Sequence, residues 1–183
     1  RLFSMNLKDA GVIEFPMEGL AYDKKNDWAN YPMGVIRMFE DAGYKASHGF
    51  DIVINGTLPP SSGLSSSASI EVLTAVILND AFGFGLSMVD MVKLSQKAEN
   101  KFVGVNCGIM DQFAVGMGKK DHAILLDCNT LEYRSRVVAI LFPCFCRPPV
   151  PPSRHRRHPW QAPVPAAAQA PGRAPRRSIS PAR

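Results

Sequence analysis

Apolar positions in the first part of the chain recur with two periods, which switch at short polar or glycine-bearing breaks. Arg1–Met5 and Gly11–Phe15 read as short strands flanking a polar turn. From Trp28 to Ala42 the large apolar residues Trp28, Val35, Ile36, Met38 and Phe39 fall at mixed spacings of three and four, predicting an amphipathic helix. Pro32 sits in its first turn, where a missing N–H costs little, and Gly43 is placed to end it. Phe50–Asn55 alternates apolar and polar residues with β-branched types, which predicts a strand broken by Pro59-Pro60. Ser66–Phe82 is apolar around much of its circumference, as in a largely buried helix. Ser87–Phe102 predicts a further helix, with Ser87 and Asp90 forming a capping pair. Asn106–Met117 predicts another, short helix, and His122–Cys128 a strand with a hairpin partner at Leu131–Val138. Strands and helices mix without regular βαβ alternation. This predicts an α+β domain, with helices on one face of a largely antiparallel sheet.

The pattern stops near Arg134. Of the 15 prolines, 11 fall in 143–183, among Pro-Pro, Arg-Arg and Ala-Ala-Ala runs. Such a segment has too little apolar surface to offset the entropy of ordering, so the sequence divides into a domain over 1–134 and a disordered Pro/Arg/Ala-rich tail over 135–183. Charge divides at nearly the same place. Residues 1–132 carry 11 Lys/Arg against 16 Asp/Glu, whereas 133–183 carry 10 Arg and no acid. Three readings of the tail stay open: an out-of-frame translation of GC-rich DNA, a natural disordered extension, or a nucleic-acid arm. Trp160 is its one aromatic past residue 145, so stacking partners are lacking, and no nucleic-acid partner is expected.

No apolar run approaches the roughly 18 residues of a membrane span, and the N-terminus lacks a signal-peptide pattern. A cytoplasmic protein without a membrane partner is expected. The four cysteines, Cys107, Cys128, Cys144 and Cys146, form no C-x-x-C pair, which argues against a zinc site or a disulfide framework.

The stretch with the most chemistry is Pro59-Pro-Ser-Ser-Gly-Leu-Ser-Ser-Ser-Ala-Ser69, which runs directly into a helix. Glycine and serine let backbone N–H groups approach a ligand, and a helix N-terminus adds unpaired donors and the positive end of the dipole. The lysine of a Walker A loop is missing, and so is a dinucleotide fingerprint. Taken by itself, the loop is either a phosphate site or a serine-rich linker capping an ordinary helix.

Gly63-Leu-Ser-Ser-Ser-Ala-Ser69 resembles the second motif of the GHMP kinases in its galactokinase form. Ala98-Glu-Asn-Lys-Phe-Val-Gly-Val-Asn-Cys-Gly-Ile-Met-Asp-Gln-Phe113 is similar to the galactokinase sugar-site helix. Trp28-Ala-Asn-Tyr-Pro-Met-Gly-Val35 and His122-Ala-Ile-Leu-Leu-Asp-Cys128 match the same family in the same order. The resemblance covers residues 1 to about 134.

It implies an incomplete GHMP kinase N-terminal domain, with a ribosomal S5 domain 2-like fold. It also implies ATP and galactose as substrates, Mg²⁺ as cofactor, and a monomeric parent enzyme. Ser61, Ser62, Gly63, Leu64, Ser65, Ser66 and Ser67 are then the residues that wrap the nucleotide phosphates, with Ser61 standing where the family usually has glycine. Ser67 and Glu99 match the magnesium-binding hydroxyl and carboxylate, an oxygen pair suited to a hard ion. Asp111 matches the carboxylate facing the anomeric hydroxyl, able to accept or orient its proton, and Gly108 lets the chain pass close to the sugar. Trp28 either lines the adenine pocket or packs in the core.

The family's first motif, of the G-E-H-T-D-Y type, and its glycine-rich third motif are absent from these 183 residues. The chain therefore reads as a piece cut at both ends, of a galactokinase whose activity this piece lacks. The alternatives are a sugar- and ATP-binding sensor and an N-acetylgalactosamine kinase.

Overall fold

The computed structural model describes residues 1–58 and 63–138. Ser61, Ser62 and nearly all of the Pro/Arg/Ala-rich tail lie outside the described residues. Five strands and four α-helices follow in the order β1 (Leu2–Ser4), β2 (Val12–Ile13), α1 (Asn30–Asp41), β3 (Ile52–Ile54), α2 (Ser66–Phe82), α3 (Met88–Ala98), α4 (Met110–Met117), β4 (His122–Leu126) and β5 (Tyr133–Val137).

The first sheet has the order β2-β1-β3. β1 runs antiparallel to β2, with Leu2 opposite Ile13, but parallel to β3, with Leu2, Phe3 and Ser4 opposite Ile52, Val53 and Ile54. The largely antiparallel sheet expected from the sequence is thus a mixed one at its centre. A parallel pair needs a long crossover, here carrying α1, and such a pairing leaves no mark in either strand's own alternation. Leu2, Ile52 and Ile54 turn inward, whereas Val53 is 67% exposed on the opposite face. Helices therefore cover one face only, as an α+β arrangement requires.

α1, α2 and α3 pack over that face around Val35, Phe39, Ala75, Leu78, Met91 and Ala98. Two glycines set how closely the helices approach. A Cβ on Gly34 would lie 3.1 Å from Phe102 Cδ1 and 3.3 Å from Ala98 Cβ, and one on Gly116 would lie 2.6 Å from Val92 Cγ2. A smaller core of Val72, Val92, Ile109 and Phe113 joins α2, α3 and α4 to the β4–β5 hairpin. Phe113 meets Tyr133 edge-on there, with ring centroids 5.3 Å apart. The hairpin pairs Ser135 with Ile124 and Val137 with His122, so its second strand continues past Arg134.

Side chains set the helix ends. The Ser87 hydroxyl accepts from the Asp90 N–H at 3.2 Å and donates to the Asp90 carboxylate at 2.6 Å, as the capping pair predicts. α1 ends where expected, with Tyr44 N–H bonded to Phe39 carbonyl at 2.9 Å across Gly43 at φ 91°.

The predicted 87–102 helix is corrected at its end, for α3 stops at Ala98 and a π-helical turn follows over Glu99–Val103. Gly104, at φ 84°, lets its own N–H and that of Val105 both donate to the Glu99 carbonyl at 3.0 Å. The predicted 106–117 helix likewise begins later, at Met110.

Candidate active site

Among the described residues no side chain caps the start of α2. Its N-cap, Ser65, is left-handed (φ 56°, ψ 44°) and is followed by right-handed Ser66. An αL residue leading into an αR residue directs successive backbone N–H groups toward one side, where they join the positive end of the helix dipole. Gly63, at φ 72°, and Leu64, 54% exposed, leave the approach open, and Ser65, Ser66 and Ser67 are half-buried.

One turn further along α2 stands Glu71, fully buried among Ala68, Val72 and Ala75. Its Oε2 accepts from Gln112 Nε2 at 3.0 Å. The same Gln112 Nε2 donates to Glu99 Oε2 at 2.6 Å, and the Cys107 thiol donates to that oxygen at 3.3 Å. Glu99 is 6% exposed and Gln112 is fully buried. Residues from α2, the π-helical turn and α4 thus meet at one amide group. The neighbours fix its orientation, since reversing it would set the amide oxygen against the Glu99 carboxylate.

Burial pushes the Glu71 carboxyl up to about 8, opposed by the Gln112 hydrogen bond and helped by the Glu99 charge. Glu71 is accordingly protonated at neutral pH. Its Oε1 and the Gln112 Oε1 are both buried without a partner among the described residues; a proton on the first makes one a donor and the other an acceptor. Burial likewise pushes the Cys107 thiol up to about 11, together with its hydrogen bond to Glu99 and that group's charge. Tyr31, half-buried on α1, is also raised, first by burial and then by Glu99 and Glu71.

The loop before α4 is held by Asn100, whose Oδ1 accepts from Cys107 N–H at 2.8 Å and whose Nδ2 donates to Cys107 carbonyl at 3.2 Å. Gln96 Nε2 adds a donor to that carbonyl at 3.3 Å. The chain then presents Gly108, with open space where a Cβ would be, and Asp111, exposed on the first turn of α4.

Of the residues singled out in the sequence, Gly63, Leu64, Ser65, Ser66 and Ser67 are grouped at the start of α2, four residues before Glu71. Glu99 shares the Gln112 Nε2 donor with Glu71, and Asp111 is Gln112's chain neighbour. Trp28 lies apart from them in the main core, 8% exposed, its Nε1 buried without a partner among the described residues. Sequence reasoning missed Glu71, Gln112, Asn100 and Tyr31. Glu71 had a readable signal, an acid within the apolar stripe of a buried helix.

A hollow walled by Ile36, Phe39, Leu78 and Phe84, with Glu18, Glu40 and Lys45 also lining it, lies roughly 18 Å along α2 from Ser66 and does not touch this cluster. Among the described residues no helix is long and apolar enough to cross a membrane.

A three-helix layer covers one face of a mixed sheet, a serine-rich helix start stands one turn before the buried Glu71, and residues 30–119 match the family model described as the GHMP kinases N terminal domain. Residues 30–119 are thus a GHMP kinase N-terminal domain. The chain is 59% identical over 137 residues to a galactokinase of Clostridium beijerinckii, covering 75% of this chain and 35% of that protein. It is 62% identical over 133 residues to a galactokinase of Fusobacterium nucleatum, covering 73% and 34% respectively. The crystal structure of Lactococcus lactis galactokinase complexed with galactose superposes with a TM-score of 0.72 at 46% identity, covering 75% of this chain and 36% of that one. The chain spans about a third of the length of the curated relatives it matches.

Proposed function

We propose that these residues form the nucleotide-facing and part of the sugar-facing side of a galactokinase, which transfers the γ-phosphoryl group of ATP to O1 of galactose. The observation that carries this reading is the junction at Gln112. It ties the carboxylate of Glu99 to the helix that begins with the serine loop, while the adjacent Asp111 stands open to a second ligand.

Ser61, Ser62, Gly63, Leu64, Ser65, Ser66 and Ser67 wrap the triphosphate, whose charge suits a helix start. The Ser67 hydroxyl and the Glu99 carboxylate would hold Mg²⁺. Both are hard oxygen donors, and Glu99 is anchored through Oε2, which fits that ion. When bound, Mg²⁺ neutralises charge building on the β- and γ-phosphate oxygens. Asp111 accepts or orients the proton of the attacking hydroxyl, and Gly108 leaves room for the sugar ring. Trp28 contributes to the adenine side at most through its indole N–H, because its ring is packed in the core. The setting is cytoplasmic and the working enzyme monomeric.

The test is a chimera in which residues 1–134 replace the matching segment of the Clostridium beijerinckii relative. Galactose-dependent ADP release is expected, with N-acetylgalactosamine a poor substitute. A folded chimera that binds both ligands yet releases no ADP would instead mark a sensor, and one that binds neither would end the kinase reading.

A further inference from the structure

We propose that Gln112 is a positioning residue for the metal-facing carboxylate, its amide group clamping Glu99 against the fixed wall formed by Glu71. This inference rests on the assignment of Glu99 to Mg²⁺ proposed above.

The argument is one of hydrogen-bond capacity. A primary amide has two N–H donors, and Gln112 Nε2 has a carboxyl oxygen at 3.0 Å and another at 2.6 Å, so both are committed. The shorter bond goes to Glu99, as expected of a donor meeting a charged acceptor. Neither end of the clamp can drift. Gln112 and Glu71 are fully buried, with Phe113 and Val72 packed beside them, and the Glu99 main chain is pinned by two N–H groups on its carbonyl. Cys107 supplies a second donor to the same Glu99 oxygen. Both donors act on Oε2, so the carboxylate is held at one atom and its plane is fixed, which is what a ligand needs to meet a small octahedral ion without reorganising. Through the peptide bond to Asp111, the same amide links the metal side of the site to the sugar side.

The experiment uses the 183-residue chain with Mn²⁺ as a paramagnetic substitute for Mg²⁺ and a non-hydrolysable ATP analogue. Gln112→Met keeps the side chain's length and removes both donors. Mn²⁺ affinity in the nucleotide complex, read by electron paramagnetic resonance, should fall roughly 10- to 100-fold. Affinity for the metal-free analogue should stay within about twofold, a split that a merely structural defect would not give. In a Glu99→Gln background, Gln112→Met should cause no further loss. Unchanged Mn²⁺ affinity in Gln112→Met overturns the clamp while leaving the kinase reading intact. A wild-type chain that binds no Mn²⁺ with the analogue overturns both. Should Gln112→Met not fold, the side-chain amide resonance of Gln112 in wild type decides. Broadening by bound Mn²⁺ and slow exchange with water support the clamp, and absence of either sinks it.

Discussion

Asp111 and Gln112 are consecutive on the first turn of α4, yet the first is exposed and the second is fully buried between Glu71 and Glu99. A rotation of about 100° per residue turns neighbouring side chains to different sides of a helix. The accepting carboxylate and the metal-facing apparatus therefore share a backbone without sharing an environment. In the chimera described above, Asp111→Ala should lower kcat by roughly 10²- to 10⁴-fold while leaving ATP affinity nearly unchanged. A coupled ADP assay with separate nucleotide titration checks this, and full turnover would remove Asp111 from the chemistry.

Glu71 should make stability fall as pH rises. Its folded value of about 8 lies above the ordinary carboxyl value of 4.5, so between these limits the folded chain keeps a proton that the unfolded chain has lost. The penalty grows by at most about 1.4 kcal/mol per pH unit and levels off above the upper limit. Glu71→Gln retains an acceptor for Gln112 and cannot ionise. It should match wild type near pH 4.5 and exceed it by about 1–3 kcal/mol at pH 7. Denaturant unfolding across this range is the measurement, and parallel curves for the two proteins would contradict the assignment.

Gly116 faces Val92 so closely that any side chain must displace the Val92 side chain, with Met88 crowding the same space. Gly116→Ala should destabilise the domain by about 1–3 kcal/mol despite the better helix propensity of alanine. Gly83→Ala, with open space around it but φ 64°, should cost about 1 kcal/mol through backbone strain alone. Thermal melts of the two variants separate crowding from strain.

Of the two described cysteines, Cys128 is exposed whereas Cys107 is half-buried with its thiol pushed up to about 11. Alkylation at pH 8 should modify Cys128 well before Cys107, because the thiolate is the reacting species. Peptide mapping after a timed iodoacetamide pulse reads the order directly.

Much of the scaffold was legible because its signals are local. The boundaries of α2, the Ser87–Asp90 cap and the Gly43 stop each depend on residues within a few positions of one another. The site was legible only where a motif carried it. The Glu71–Gln112 bond joins residues 41 positions apart, and no period in either segment points to the other. Asparagine brackets were equally hidden. Asn30, Asn79 and Asn100 each accept on Oδ1 from the N–H, and donate from Nδ2 to the carbonyl, of one residue seven positions away: Asp23, Leu86 and Cys107. Asparagine is read locally as a turn former, so a side chain standing in for a strand partner leaves no trace in composition. The parallel β1–β3 pairing escaped for the same reason, being decided across a long crossover.

The π-helical turn at Glu99–Val103 bears on how this segment can change over generations. A substitution at Lys101, the exposed residue of the turn, leaves its winding intact. Removing a single residue would restore ordinary winding and swing everything downstream by about a quarter of a revolution. Asn100 would lose its grip on Cys107, and the start of α4 would no longer arrive opposite α2. Intolerance to altered length is the inheritance pattern this one wide turn imposes.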